Sequence, residues 1–156
     1  MSGLSVEQDR NIAMFRRLIE EGFSAGNLAV VDEICAMDLL EHQDGFATPD
    51  RQGVKKGIAF LHALAPDARV TVEAIDAVED RVWARLRARG THGGAPFGGP
   101  TGRSFEITVM DLARFRDGRV VEHWGVPDRF AQMMQLGLLQ IGPQPAGARP
   151  RNKRSS

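Results

Sequence analysis

The chain has 156 residues, 42% of them hydrophobic, with 20 basic and 20 acidic side chains and one cysteine. That length suits one domain able to hide roughly 70% of the surface its unfolded form exposes, so neither a metal nor a disulfide is needed to supply a core. One thiol excludes an internal disulfide, no Cys and His spacing matches a structural zinc site, and no segment approaches the roughly 18 consecutive apolar residues of a membrane span.

The N-terminal MSGLSVEQDR lacks the basic stretch and apolar run of an export signal, so a cytoplasmic protein with no membrane partner is expected. Ser5 and Gln8 form a capping-box pattern, and Ile12, Phe15, Ile19 and Phe23 recur at helical spacing, which predicts a helix over 5–24 ended by Gly26 and Asn27. Leu28 to Ile34 reads as a short second helix containing a second apolar run. Cys35 after it reads as a small buried hydrophobe, and Met37 to His42 as a short extended or irregular segment. The polar GFATPDRQG stretch is a loop before a third helix carrying Ile58, Phe60, Leu61 and Leu64, which Pro66 closes.

From Arg69 the period becomes two. Val70, Val72 and Ala74 alternate, then Val82, Ala84, Leu86 and Ala88 alternate with Trp83, Arg85, Arg87 and Arg89, with Glu79 and Asp80 as the turn between. A further strand runs from Phe105 to Phe115, Asp117-Gly118 makes a hairpin turn, and Val120 to Val126 returns until Pro127 stops it. Asp128 to Leu139 is helical again, with Phe130, Met133, Met134 and Leu138 placed to cover a sheet opening. Helices followed by a long curved antiparallel sheet of four or five strands predict an α+β architecture in which the sheet wraps around the longest helix and leaves a pocket.

The expected domain is residues 1–142, followed by a basic tail, 143–156, with no apolar periodicity to repay the entropy of ordering. Arg149, Arg151, Lys153 and Arg154 lie in that tail, leaving 16 basic against 20 acidic residues elsewhere, a net of −4. A body with that balance has no electrostatic reason to hold a nucleic-acid backbone.

Four histidines are available for chemistry. His62 reads as an ordinary helix position. His42 faces either the pocket mouth or a structural hydrogen bond, and His92 opens THGGAPFGGPTGR, a segment with five glycines and two prolines in thirteen residues. That segment lacks the order of a phosphate loop or a dinucleotide fingerprint. It reads as a loop closing over a small ligand with Phe97 as apolar contact, or as an irregular strand connection. In Glu122-His123-Trp124, one parity sends the acid and the indole inward and the other sends the imidazole. Glu122 otherwise pairs with an arginine of the neighbouring strand, and His123 otherwise sits as a satisfied core histidine. Asp128 follows a strand-breaking proline and precedes a helix, which suits an N-cap and a pocket carboxylate equally. The strand from Arg85 to Arg89 favours an acidic substrate if it faces the pocket, and a solvated surface or dimer contact if it faces out. The histidines are widely separated and form no HExxH motif, so no metal is assigned.

The segments MDLLEHQDG, DRVWARLRARGTHGGAPFGGPTGR, DLARFRDGRVVEHWGVPD and QLG at Gln135 to Gly137 occur in the order of a known family. Over residues 8–138 the chain resembles the SnoaL-like polyketide cyclases, also called ester cyclases, within the cone-shaped fold shared with nuclear transport factor 2 and ketosteroid isomerase. The resemblance implies a cofactor-independent intramolecular aldol condensation that closes a ring of an aromatic polyketide ester. It also implies that Asp128 is the acid/base and that His123 orients a carbonyl or stabilises negative charge. His92, His42, Phe97, Met110 and Trp124 complete the expected substrate-contacting set. The chain has no tyrosine, which removes the tyrosine-based oxyanion stabilisation of ketosteroid isomerase relatives. The alternatives are a noncatalytic binder of small apolar ligands, or an isomerase, hydroxylase or epoxide hydrolase using the same pocket. The expected partners are a small ring-containing substrate and a second copy of the chain.

Deleting residues 143–156 is expected to leave the melting temperature and any activity nearly unchanged. A large loss of either, in a thermal scan of the shortened chain, contradicts the tail assignment.

Overall fold

A computed structural model describes residues 3–139 and 142; the tail assigned to 143–156 lies outside them. Helix α1 (Val6–Arg17) starts on the expected capping box, in which Gln8 N–H donates to Ser5 Oγ at 3.2 Å and Ser5 N–H to Gln8 Oε1 at 2.9 Å. It then widens into a π-helical segment, Leu18–Ser24. The extra residue per turn re-aims the apolar stripe, and Ile19 and Phe23 line the cavity described below. Helix α2 (Ala29–Ile34) packs Val30, Val31 and Ile34 into the core. Helix α3 (Arg51–Leu64) is capped by Asp50, whose carboxylate accepts from Gly53 N at 2.9 Å.

Five strands form one sheet: β1 (Cys35–Glu41), β2 (Arg69–Val78), β3 (Arg81–Thr91), β4 (Ser104–Arg116) and β5 (Arg119–Pro127), in the order β1-β5-β4-β3-β2. The α+β cone is as expected, with two differences. The sheet is not wholly antiparallel, because β1 pairs with β5 in parallel. Nor do all the helices precede it, because β1 lies between α2 and α3. A parallel neighbour needs a crossover rather than a tight turn, so local turn chemistry gives no sign of this pairing.

The two hairpins are local and follow the turn residues. Glu79 (φ 54°) turns β2 into β3, while Asp117 (φ 53°) and Gly118 (φ 73°) make the two-residue connection whose twist suits β4 and β5. Register breaks at Val72/Ala74 and Arg114/Phe115 bend the long strands into a half-cone. On β3 the alternation is clean: Val82, Ala84, Leu86 and Ala88 are buried, while Arg85, Arg87 and Arg89 face outward. Arg85 and Arg87 pair with Glu73 there, so this strand presents a solvated outer surface and not a pocket wall. Helix α4 (Arg129–Gln135) closes the open end of the cone. It is shorter than the expected 128–139 because the chain turns back at Gly137 (φ 73°), where Leu138 N–H donates to Met133 O.

No helix among the described residues is long and apolar enough to cross a membrane. Phe15 is wholly buried between α1 and the sheet. Phe15→Ala is therefore expected to cost about 3–5 kcal/mol, read as a lowered urea midpoint without a change in slope.

Candidate active site

The site is assembled by strand register. Glu41 on β1 lies opposite His123 on β5, and His123 lies opposite Ala113 on β4, so Asp111, two residues along, is its diagonal neighbour on the same inward face. All three side chains are buried, with residue exposures of 4%, 6% and 6% for Glu41, His123 and Asp111. Both Glu41 oxygens lie near His123 Nδ1, at 3.0 and 2.8 Å, and Asp111 Oδ2 lies 3.5 Å from Nε2. Glu41 is itself fixed, since Oε1 accepts from Gln43 N at 2.7 Å and its own N–H donates to Pro49 O.

Burial alone disfavours the imidazolium and pulls its pKa down. The hydrogen bonds and negative charges of Asp111 and Glu41 outweigh that, and the His123 pKa is raised to about 10. The ring therefore donates from both nitrogens at neutral pH, and His123 is the centre of the trio. Asp111 Oδ1, the remaining carboxylate oxygen, is buried and has no hydrogen-bond partner among the described residues.

Asp111 lines an inner chamber of about 60 Å³. Its walls are otherwise largely apolar: Ile19 and Phe23 from the π-helical segment, Phe46, Phe60 and Leu61 around α3, and Val70, Leu86, Phe105, Ile107 and Val109 from the sheet. The polar exceptions besides Asp111 are Gln43, Arg129 and Gln132. Arg129 Nη1 donates to Gln132 Oε1 at 2.8 Å, while the Gln43 amide and Gln132 Nε2 have no partner among the described residues. Gly125 makes this arrangement possible, for a side chain there would collide with the Gln43 amide and come within 3.1 Å of Asp111 Oδ1. The inner chamber adjoins a vestibule of about 320 Å³ lined by Lys56, Leu64, Phe97, Met133 and Leu136, among others. Phe46, Gly57, Phe60, Arg129 and Gln132 border both and form the neck. A Cβ on Gly57 would run into the Phe46 ring, so its absence lets that ring lie against α3.

Of the residues picked out from sequence, His123 stands directly behind the chamber and Phe97 borders the vestibule, its ring edge-on to Phe60 at 6.3 Å. His92 is buried beneath the glycine-rich segment, with its ring nitrogens 2.8 Å from Thr101 Oγ1 and 3.0 Å from Gly94 O, and it holds the base of the loop. Asp128 is exposed. It caps α4 by accepting from Ala131 N at 2.9 Å and does not line the chamber.

His42, Met110 and Trp124 lie on the outer face of the sheet. The alternation that turns Asp111 and His123 inward turns Met110 and Trp124 outward, and His42 stacks on Trp124 at 4.7 Å while bonding Glu122 Oε1 at 3.0 Å. Glu122 also accepts from Arg114 Nη1 at 2.8 Å, the neighbouring-strand arginine. His62 bonds Phe23 O at 2.9 Å as a structural histidine. Burial pushes the Cys35 thiol up to about 12, reinforced by the nearby Glu41 charge, which leaves it no nucleophilic character. Among the described residues no three His, Cys, Asp or Glu side chains have the arrangement of a metal site.

The functional residues missed from sequence are Asp111, Glu41, Gln43, Arg129 and Gln132. Asp111 had a signal: it interrupts the inward row Phe105, Ile107, Val109, Ala113, Phe115 with the only charge in it.

A sequence profile described as SnoaL-like polyketide cyclase matches residues 13–136. The chain belongs to this family. In structure it is similar to IdmH from Streptomyces antibioticus, a candidate polyketide cyclase, with 37% identity and a TM-score of 0.73 over 81% of this chain and 98% of that one. It is also similar to AclR from Streptomyces galilaeus, a candidate hydroxylase, at 26% identity and a TM-score of 0.75 over 88% and 87% of the two chains. A SnoaL-like protein from Jannaschia sp. CCS1 shares the fold at 23% identity, with a TM-score of 0.79 over 90% of this chain and all of that one. A comparison with curated protein sequences gives no match.

Because the folded pKa of His123 lies above its ordinary value of 6.5, its ion pairs contribute stability that is fully present below about pH 6.5 and lost as pH rises through about 10. Nitrogen-15 spectra at pH 8 are expected to show both His123 ring nitrogens protonated. Glu41→Gln should lower that titration by more than about one pH unit; a neutral ring at pH 8 in the unaltered protein contradicts the assignment.

Proposed function

We propose that this SnoaL-like protein is a cofactor-independent polyketide cyclase that closes a ring of an aromatic polyketide ester by intramolecular aldol addition, with Asp111 as acid/base. The observation that carries the reading is the unpartnered Asp111 Oδ1 in an apolar chamber, backed by a cationic imidazole. A carboxylate oxygen without a donor in such a place is poised to accept a proton from a C–H acid. Asp111 takes a proton from the carbon next to a carbonyl, and the electron pair moves onto that carbonyl oxygen as an enolate. The enolate carbon then attacks a second carbonyl carbon of the same molecule. The protonated Asp111 returns its proton to the new alkoxide, so the product has the mass of the substrate and no oxidant is consumed.

Gln43 and Gln132 supply amide donors for the oxygens on which charge develops. His123 keeps its proton throughout and holds Asp111 in place, while Glu41 orients His123. The chamber walls bring the two reacting carbons together, which supplies much of the rate by positioning.

The resemblance assigned this role to Asp128, and the two carboxylates can be compared directly. Asp111→Asn is expected to lower turnover of an aromatic keto ester by about 10²–10⁴ and to abolish deuterium exchange at its acidic carbon. Asp128→Asn preserves an N-cap and should change both by less than about threefold. The reverse result returns the acid/base role to Asp128.

We also propose a homodimer through the outer sheet face, where Leu40, Trp83, Met110 and Val126 are exposed beside half-buried Leu112 and Trp124. Sedimentation equilibrium should give twice the chain mass at micromolar concentration, and Met110→Arg should give the monomer; an unaltered chain that sediments as a monomer removes the dimer.

A further inference from the structure

The vestibule has a charge that the acid/base reading leaves unused. Lys56 and Arg129 both border it, no Asp or Glu lines it, and neither residue makes an ion pair among the described residues. This is unlike the outer sheet face, where Arg85, Arg87 and Arg114 meet carboxylates, and unlike Lys55, one residue along α3, which pairs with Asp32 at 2.6 Å. Arg129 is held at the neck by its bond to Gln132, and Gln132 is 3% exposed, so the guanidinium has a fixed attachment. The remaining vestibule walls are mostly apolar, with the Phe46, Phe60 and Phe97 rings among them.

The two ends of this mostly apolar space therefore differ in charge. A carboxylate with one unpartnered oxygen stands in the inner chamber, and two cations without an acidic partner among the described residues stand at the neck and beyond it. An anionic ligand entering with its charge first would meet Asp111. Entering the other way, it leaves that charge beside Lys56 and Arg129 and places its uncharged edge at Asp111, with its rings between Phe46 and Phe60.

We infer that Lys56 and Arg129 form an anion subsite, and that the substrate is an aromatic ring system bearing a free carboxylate remote from its reacting carbon. The inference rests on the chamber being the substrate site and on Asp111 marking the reacting end. The two cations set the direction of binding and select acidic over neutral ring compounds.

The test uses 2-naphthoate and its neutral isostere 2-naphthamide as probes, with calorimetry on the full chain at pH 7.5 and low salt. The naphthoate is expected to bind roughly 10- to 100-fold tighter, the span of a charge-assisted contact, and the ratio should shrink as salt is added. Lys56→Gln and Arg129→Gln should each reduce the ratio, and together bring it near one, with amide binding retained as a check that the pocket is intact. Asp111→Asn should keep the preference or increase it. Equal affinities in the unaltered protein, a preference that survives in the double variant, or no saturable binding of either probe overturns the subsite. Because the readout is an affinity ratio, it is independent of turnover. An Asp111→Asn protein that still turns over defeats the cyclase reading without removing the preference for the naphthoate.

Discussion

The buried Glu41–His123–Asp111 trio is the constraint on which the rest of the structure depends. Placing two carboxylates and one imidazolium where water is excluded carries a desolvation cost of several kcal/mol per ion. That cost is met only if each charge keeps its partner. His123 is the single group that serves both carboxylates, with Glu41 on Nδ1 and Asp111 on Nε2. Geometry then follows from electrostatics. Strand β1 has to run beside β5 to deliver Glu41, the β4–β5 register has to hold Asp111 diagonal to His123, and position 125 has to be glycine so that Asp111 and Gln43 share the space. The edge pairing of β1 is short and irregular as sheet pairing goes, with a register break between Cys35 and Leu40. The ion pair at its end, together with the bond from Glu41 N–H to Pro49 O, anchors it where the ladder is weakest.

Much of the fold is local and was legible. Capping at Ser5, the alternation along β3 and the Asp117-Gly118 turn each announce themselves within a few residues, because propensity, period and turn chemistry agree there. The site is less legible because it is made of non-local register. Nothing within β1 says that Glu41 will face His123 82 positions later. Strand β5 alone left two parities open, and only packing against β1 and β4 decides that His123 points in and Glu122 out. Asp111 is readable in principle, as one charge in an apolar row, whereas Asp128 after its proline suits a cap and a pocket carboxylate equally, and only the family resemblance points to it as the acid/base. The proline marks the start of a helix, and a capping aspartate is what a helix start requires.

The parts of the site also differ in how firmly they are held. Asp111 and His123 stand on interior strands, whose hydrogen bonds fix side-chain direction to within a narrow range, and Glu41 ends the edge strand β1, where its bonds to His123 and Gln43 hold it. The vestibule is built from α3, the loop before it, α4 and the glycine-rich segment, with His92 as the fixed post beneath the loop and Phe97 at its rim. This division explains how one fold can accommodate relatives described as a cyclase and as a hydroxylase. A rigid sheet provides a polar group inside an apolar cone, and changes in the surrounding segments alter what reaches it without disturbing the core.

The small size of the inner chamber has a chemical consequence. A space of about 60 Å³ admits one edge of a ring compound and a reacting group, not a multi-ring molecule surrounded by solvent. Occupation by that edge would set it against Asp111 Oδ1, the oxygen that has no donor among the described residues, while Oδ2 stays beside the His123 imidazolium. The two oxygens of one carboxylate are thus divided between a fixed internal contact and the open chamber. Glu41 takes part at a distance: it touches only the far side of the His123 ring, and by keeping that ring charged and oriented it positions a carboxylate it does not touch.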